Sequence, residues 1–137
     1  MRYYLNVKAA SLPKRIGRDD PDGRRTSDGE EGFLCFGPFC EMKKGRYVAA
    51  YYIRRLDEAG SDKITIDVYA DGVNVIERKH VPVESLLRRV SGMVALPFEL
   101  TNERSKIEIR LYVRERTLIE VRDLTIFSVD TTDWSAQ

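Results

Sequence analysis

Two stretches of strict alternation constrain this chain more than anything else in it. In Lys63-Ile64-Thr65-Ile66-Asp67-Val68-Tyr69-Ala70 every second residue is aliphatic, and Lys106-Ile107-Glu108-Ile109-Arg110-Leu111-Tyr112-Val113-Arg114 repeats the device. A period of two belongs to a β-strand with one face in a core and the other in water. Ile64, Ile66, Val68, Ala70, Ile107, Ile109, Leu111 and Val113 therefore point inward, and Asp67, Tyr69, Glu108, Arg110 and Tyr112 point outward. Six further segments read as strands: 2–8, 32–36 with a continuation to 42, 46–55, 73–79, 94–100 and 117–127. Asp71-Gly72 marks a hairpin, because glycine tolerates the positive φ of such turns, and Lys44-Gly45 marks a second turn. Between Pro82 and Gly92, Leu86, Leu87 and Val90 share a helical face, which predicts one or two helical turns. About eight short strands with little helix predict an all-β fold of two antiparallel sheets packed face to face, a jelly-roll β-sandwich.

The 137 residues suit a single domain spanning 1–137. Residues 13–31 alternate Lys14, Arg15, Arg18, Arg24 and Arg25 with Asp19, Asp20, Asp22 and Asp28, and read as a long mobile surface loop with nothing to place in a core. Asp20-Pro21-Asp22-Gly23 lacks the remaining ligands of an EF-hand and reads as a solvated turn; a structural calcium ion shared with another strand is the alternative. The tail 131–137 is polar apart from Trp134 and is expected to be loosely held. Two cysteines and one histidine are too few for a Cys/His zinc site, so no metal or other cofactor is expected. Cys35 and Cys40 read as buried free thiols, with a bridge allowed by a fold-back at Gly37-Pro38 as the alternative, and His80 reads as an ordinary edge residue.

Charge narrows the partners. With 23 Lys+Arg against 22 Asp+Glu, the chain lacks the basic excess of a nucleic-acid binder. No apolar run approaches the ~18 residues of a membrane span, so no membrane insertion is expected. The first residues show no Sec signal, which suits a cytoplasmic protein or one reaching the cell surface by another route. No nucleophile elbow, phosphate loop, dinucleotide fingerprint or metal-helix motif is present, so no catalytic residue is assigned.

A longer pattern runs through the strand ends. It comprises Gly37-Pro38-Phe39-Cys40-Glu41-Met42-Lys43-Lys44-Gly45-Arg46-Tyr47, then Ile66-Asp67-Val68-Tyr69-Ala70-Asp71-Gly72. Val94-Ala95-Leu96-Pro97-Phe98-Glu99-Leu100 and Ile119-Glu120-Val121-Arg122-Asp123-Leu124-Thr125-Ile126 complete it. Over about residues 30–127 this order resembles the galactose-binding-domain-like jelly rolls, which include many carbohydrate-binding modules and some bacterial lectins. The resemblance implies the fold and, as a function, noncatalytic lectin-like recognition of a glycan. It carries no sugar-contacting motif. Its members often place Trp on the binding face, whereas Trp134 here lies in the tail.

Sugar recognition combines a ring against the C–H face of a pyranose with charged or amide groups that hydrogen-bond hydroxyls in pairs. The two alternating strands offer Asp67, Tyr69, Glu108, Arg110 and Tyr112. On 46–54, Tyr47, Ala49, Tyr51 and Ile53 make the more apolar face, leaving Arg46, Tyr52 and Arg54 outward. If these strands lie side by side, as in the resembling class, the eight residues form one polar-aromatic surface. Replacing Arg110 or Asp67 with Ala is then expected to abolish binding with little change in melting temperature. Arg88-Arg89 is a loop alternative for gripping a carboxylate or sulfate. A single weak site per chain implies a homo-oligomer that gains avidity. The competing reading is a structural or adaptor domain, for example in a phage-like or surface assembly, with the polar face as a protein interface.

Overall fold

The computed structural model describes residues 2–56 and 63–129. It contains β1 (Arg2–Lys8), β2 (Arg18–Asp19), β3 (Arg25–Thr26), β4 (Gly32–Cys35), β5 (Pro38–Met42) and β6 (Gly45–Arg55). After these come β7 (Lys63–Ala70), β8 (Asn74–Pro82), β9 (Gly92–Leu100), β10 (Arg104–Val113) and β11 (Ile119–Val129). The eleven strands form two antiparallel sheets, so the fold class is the all-β sandwich expected from alternation. The count exceeds eight for two reasons. The stretch 32–42 breaks into β4 and β5 at the cis Gly37-Pro38 bond, and the two-residue β2 and β3 emerge from the charged 13–31 segment.

Each sheet is organised around one long strand. In the first, β11 pairs with β6 along one edge, while β1 and β3 share its other edge end to end; β9 lies beyond β6 and β2 beyond β3. In the second, β10 pairs with β7 along one edge, while β4 and β5 share the other; β8 lies beyond β7. Asp71 sits at the β7–β8 turn with φ of 54°, and its Oδ1 accepts the backbone N–H groups of Ser105 and Lys106, tying the hairpin to the start of β10.

The inner faces meet as the period of two requires. Ile64, Ile66, Val68, Ala70, Ile107, Ile109, Leu111 and Val113 are buried from the second sheet, and Tyr47, Ala49, Tyr51, Ile53, Val121, Leu124 and Ile126 from the first. Burying each larger aliphatic chain contributes roughly 1.5–3 kcal/mol, which makes this interface the dominant favourable term. Tyr51 is the polar exception: its hydroxyl donates across the sandwich to the carbonyl of Ile109 in β10. Tyr47 stacks on Phe98 and donates its hydroxyl to the Lys43 carbonyl.

The charged 13–31 segment does not run free of the core, contrary to expectation. Ile16 joins the core cluster, as does Leu12 just before the segment, and Arg25 is 1% exposed. Its guanidinium donates to Asp19 Oδ1 at 2.6 Å and to the carbonyls of Leu12, Leu34 and Pro13 at 2.6, 3.0 and 3.2 Å. A buried cation is tolerated only when its donors are matched in this way. Ser27 completes the anchor, donating to the Thr117 carbonyl and accepting from the Ile119 N–H.

Between β8 and β9 the expected helical turns reduce to one 3-10 turn, Val83–Ser85. Leu86 is buried but Leu87 and Val90 are exposed, because Leu86 is extended and the chain bends over 88–90, so no helix keeps the three on one face. Cys35 and Cys40 are free, and burial pushes the Cys35 thiol up to about 12. The tail 131–137 and its Trp134 lie outside the described residues. Among the described residues, no helix is long and apolar enough to cross a membrane.

The Arg25 anchor yields a stability prediction. Arg25→Ala leaves Asp19 with Lys14 alone, at 3.4 Å, and three carbonyls short of a donor, and should destabilise the fold by about 3–5 kcal/mol in urea unfolding. Arg18→Ala, at an exposed position, should stay within about 0.5 kcal/mol. Equal losses in the two variants would contradict the assignment of Arg25 as the anchor.

Candidate ligand-binding surfaces

The structure divides the eight sequence-predicted residues between two surfaces. β6 pairs with β11 and β9, not with β7 or β10, so Arg46, Tyr52 and Arg54 lie on the outer face of the first sheet. Asp67, Tyr69, Glu108, Arg110 and Tyr112 lie on the outer face of the second, across the core. On β6 the inward face is the one alternation predicts, with Tyr47, Ala49, Tyr51 and Ile53 all buried. The expected single continuous surface does not form, because strand faces follow from local alternation whereas sheet membership follows from long-range pairing.

On the second sheet, Arg110 and Asp67 sit opposite each other in register. Arg110 Nε and Nη2 donate to the two Asp67 oxygens at 2.7 Å each, a bidentate pair. Arg78 from β8 adds a donor to Asp67 Oδ2 at 3.3 Å. Asp67 is consequently only 4% exposed, although it faces outward. It holds Arg110 in place and has little surface left for a ligand, so Asp67→Ala would unpair a covered cation and lower stability. The Arg110 guanidinium lies over the Tyr69 ring at 4.0 Å and over the Phe33 ring at 4.8 Å. Its Nη1 is the nitrogen that Asp67 does not engage.

A row of rings flanks this arginine. Tyr112 and Phe33 meet edge to face at 5.2 Å, Phe33 and Phe36 at 6.5 Å, and Phe36 and Phe39 at 6.2 Å. Arg15 covers Phe36 at 5.6 Å. Phe39, with φ of 62°, is 45% exposed at the end of the row. Tyr112 donates its hydroxyl to the Glu31 carboxylate, whose pKa is lowered by that bond. Glu108 is half-buried beside Arg110, and burial raises its pKa. Sequence reasoning missed Phe33, Phe36, Phe39 and Glu31. The aromatic spacing at 33, 36 and 39 is plain in the chain, but neither a period of two nor a helical period assigns those rings to one face once the strand breaks.

The first sheet's outer face carries a cleft of about 500 Å³, lined by arginines from separate elements and by Glu120. A bulge at Arg122 interrupts the β11–β6 register and turns that side chain over the Tyr52 ring at 4.6 Å. Glu120 accepts from Arg24 at 2.7 Å and from Arg54 at 3.3 Å. Burial alone would raise its pKa, but the bonds from Arg54 and Arg24 hold it below the usual carboxylate range. Arg46 lies away from this cleft, paired with Glu99 on the same face. His80 is exposed on β8, with Nδ1 2.9 Å from Thr65 Oγ1. Asp22 in the Asp-rich turn pairs with Arg24. Among the described residues no group of three or more His, Cys, Asp or Glu side chains is placed to hold a metal.

No protein-family model and no curated protein sequence matches the chain. Solved structures do. The C-terminal CBM6 of LamC, a marine laminarinase from Zobellia galactanivorans, superposes with a TM-score of 0.60 at 12% identity, over 89% of this chain and 97% of that one. A family GH115 4-O-methyl-α-glucuronidase, BtGH115A, with specificity for decorated arabinogalactans, gives 0.63 at 12% identity, over 95% of this chain but 18% of that one. The infectious bursal disease virus VP2 subviral particle gives 0.52 at 9% identity, over 98% of this chain and 34% of that one. At these identities the likeness is one of fold. The chain has a jelly-roll β-sandwich fold that resembles the galactose-binding-domain-like folds of carbohydrate-binding modules such as the CBM6.

The Glu120 cluster makes stability depend on acid. Its contribution is present above the ordinary glutamate value of 4.5 and is lost as pH falls through the lowered folded value. Glu120→Gln should therefore cost about 1–2 kcal/mol at pH 7, with the gap from the parent closing as unfolding is measured at lower pH. A gap independent of pH would contradict the ionic role of Glu120.

Proposed function

We propose that the chain is a noncatalytic, lectin-like carbohydrate-binding module, and that the glycan lies on the outer face of the second sheet. The observation carrying this reading is the row Tyr112–Phe33–Phe36 beside Tyr69, with Arg110 pinned by Asp67 between two rings. Rings offer flat apolar area for pyranose C–H groups, and the Arg110 Nη1 and the Glu108 carboxylate offer a donor and an acceptor for hydroxyls. The arginine is already immobilised by Asp67, so little entropy is lost on binding. Asp67 acts by positioning; Tyr69, Tyr112, Glu108 and Arg110 make contact. Arg46 has no part in this site. The module likeness supports the fold on which such a face is built. One shallow site per chain would bind weakly, so avidity through a homo-oligomer belongs to the same proposal.

A second reading, an adaptor domain in a larger assembly, is favoured by the exposed Phe39 at the end of the ring row and by the fold likeness to the VP2 particle protein. On that reading the rings meet a protein partner.

A glycan array probed with the purified full chain, with and without calcium, decides between them. The expected result is a calcium-independent hit inhibited by free sugar. Tyr112→Ala or Glu108→Gln should weaken it about five- to tenfold, the equivalent of roughly 1 kcal/mol per contact. Arg46→Ala should leave it unchanged. Melting temperatures should stay within about 3 °C in all three. A blank array with folded protein would overturn the glycan reading in favour of the adaptor.

A further inference from the structure

The cleft on the first sheet is built differently from the ring-lined face. Four arginines line it: Arg24 from the turn between β2 and β3, Arg54 from β6, Arg89 from the loop before β9, and Arg122 from the β11 bulge. Three of them are matched. Arg24 and Arg54 converge on Glu120, Arg24 also meets Asp22 at 3.2 Å, and Arg122 meets Asp123 at 2.9 Å. Arg89 is exposed and has no hydrogen bond or ion pair among the described residues. Two residues along the same loop, the Ser91 hydroxyl is shut off from solvent and has no partner either. A shielded hydroxyl without a partner is unfavourable, so Ser91 is a donor that lacks an acceptor.

We propose that this cleft is a second binding site, which takes a singly charged oxyanion, a carboxylate or sulfate ester borne on a saccharide. The proposal rests on the glycan reading only for the saccharide that carries the group. Arg89 determines the valence. Glu120 and Asp22 together match Arg54 and Arg24, and Asp123 matches Arg122, so Arg89 is the lining arginine that no carboxylate meets among the described residues. Arg89 grips the oxyanion through its guanidinium fork, and Ser91 donates a third hydrogen bond. Arg54 is steadied from the other side as well, since its Nη1 donates to the Arg88 carbonyl at 3.3 Å. Asp20, at the cleft's rim, disfavours ligands with several adjacent charges, which separates this site from a general polyanion patch.

The test uses isotopically labelled full chain and four probes: galacturonate, its neutral methyl ester, galactose 4-sulfate and galactose. Galacturonate or galactose 4-sulfate should shift the backbone resonances of Arg89 and Ser91, and the uncharged counterpart should not. Whichever acid binds identifies the source of the oxyanion. Arg89→Ala should weaken binding at least tenfold, Arg89→Lys should restore part of it, and Ser91→Ala should weaken it about threefold. Absence of shifts at Arg89 and Ser91 with either acid would overturn the site, as would equal binding of acid and ester or an unaffected Arg89→Ala variant. The two surfaces are read separately. Neutral-glycan binding lost in Tyr112→Ala reports on the ring face, and the acid-against-ester difference reports on the cleft.

Discussion

Water is kept out from between the two sheets by a layer of aliphatic and aromatic side chains contributed by alternate residues of β6, β7, β9, β10 and β11. A strand has only two faces, so each long strand that gives one face to this layer has one left for solvent. The outer faces of a sandwich point in opposite directions. Any site built on strands must therefore draw its residues from one sheet, however similar the outward residues of the other may look. That is why Arg110 and Arg54, both outward arginines matched to carboxylates, serve different surfaces on opposite sides of the core.

The two surfaces also differ in how their arginines are held. Arg110 is fixed by one nearly buried aspartate and lies between ring faces, which makes a preorganised donor set in apolar surroundings. Arg24 and Arg54 share one glutamate in a cleft open to solvent, with Arg89 unmatched among the described residues. The first arrangement suits neutral hydroxyl-rich ligands and the second a negative charge. Arg25 shows a third use of the same side chain. It is withdrawn from solvent altogether, and its donors hold the 12–35 segment against the sandwich.

The strands of alternating aliphatic residues are legible in the amino-acid order itself, as is the face of 46–54 that turns inward. In both cases the deciding pattern is local and repeats every two residues. The conformation near Leu86 is not legible in the same way, because three apolar residues in a short stretch fit a helix and an extended chain almost equally. Arg25 is hidden among like residues: nothing near it in sequence distinguishes it from Arg18 or Arg24, and its acceptors are mostly main-chain carbonyls, which carry no mark in the sequence. The ring row is hidden too, since Phe33, Phe36 and Phe39 straddle the break between β4 and β5.

Composition and alternation alone determined that this chain forms a β-sandwich and which residues of its long strands face the core, since transfer of apolar surface from water depends on residue type and local period. Only the tertiary structure decided which strands became neighbours. It thereby set which outward residues share a surface, which aspartate is covered, and which arginines meet carboxylates. Those outcomes depend on pairings between segments more than a hundred residues apart, such as β1 with β11, and long-range register leaves no local trace in the side chains it brings together.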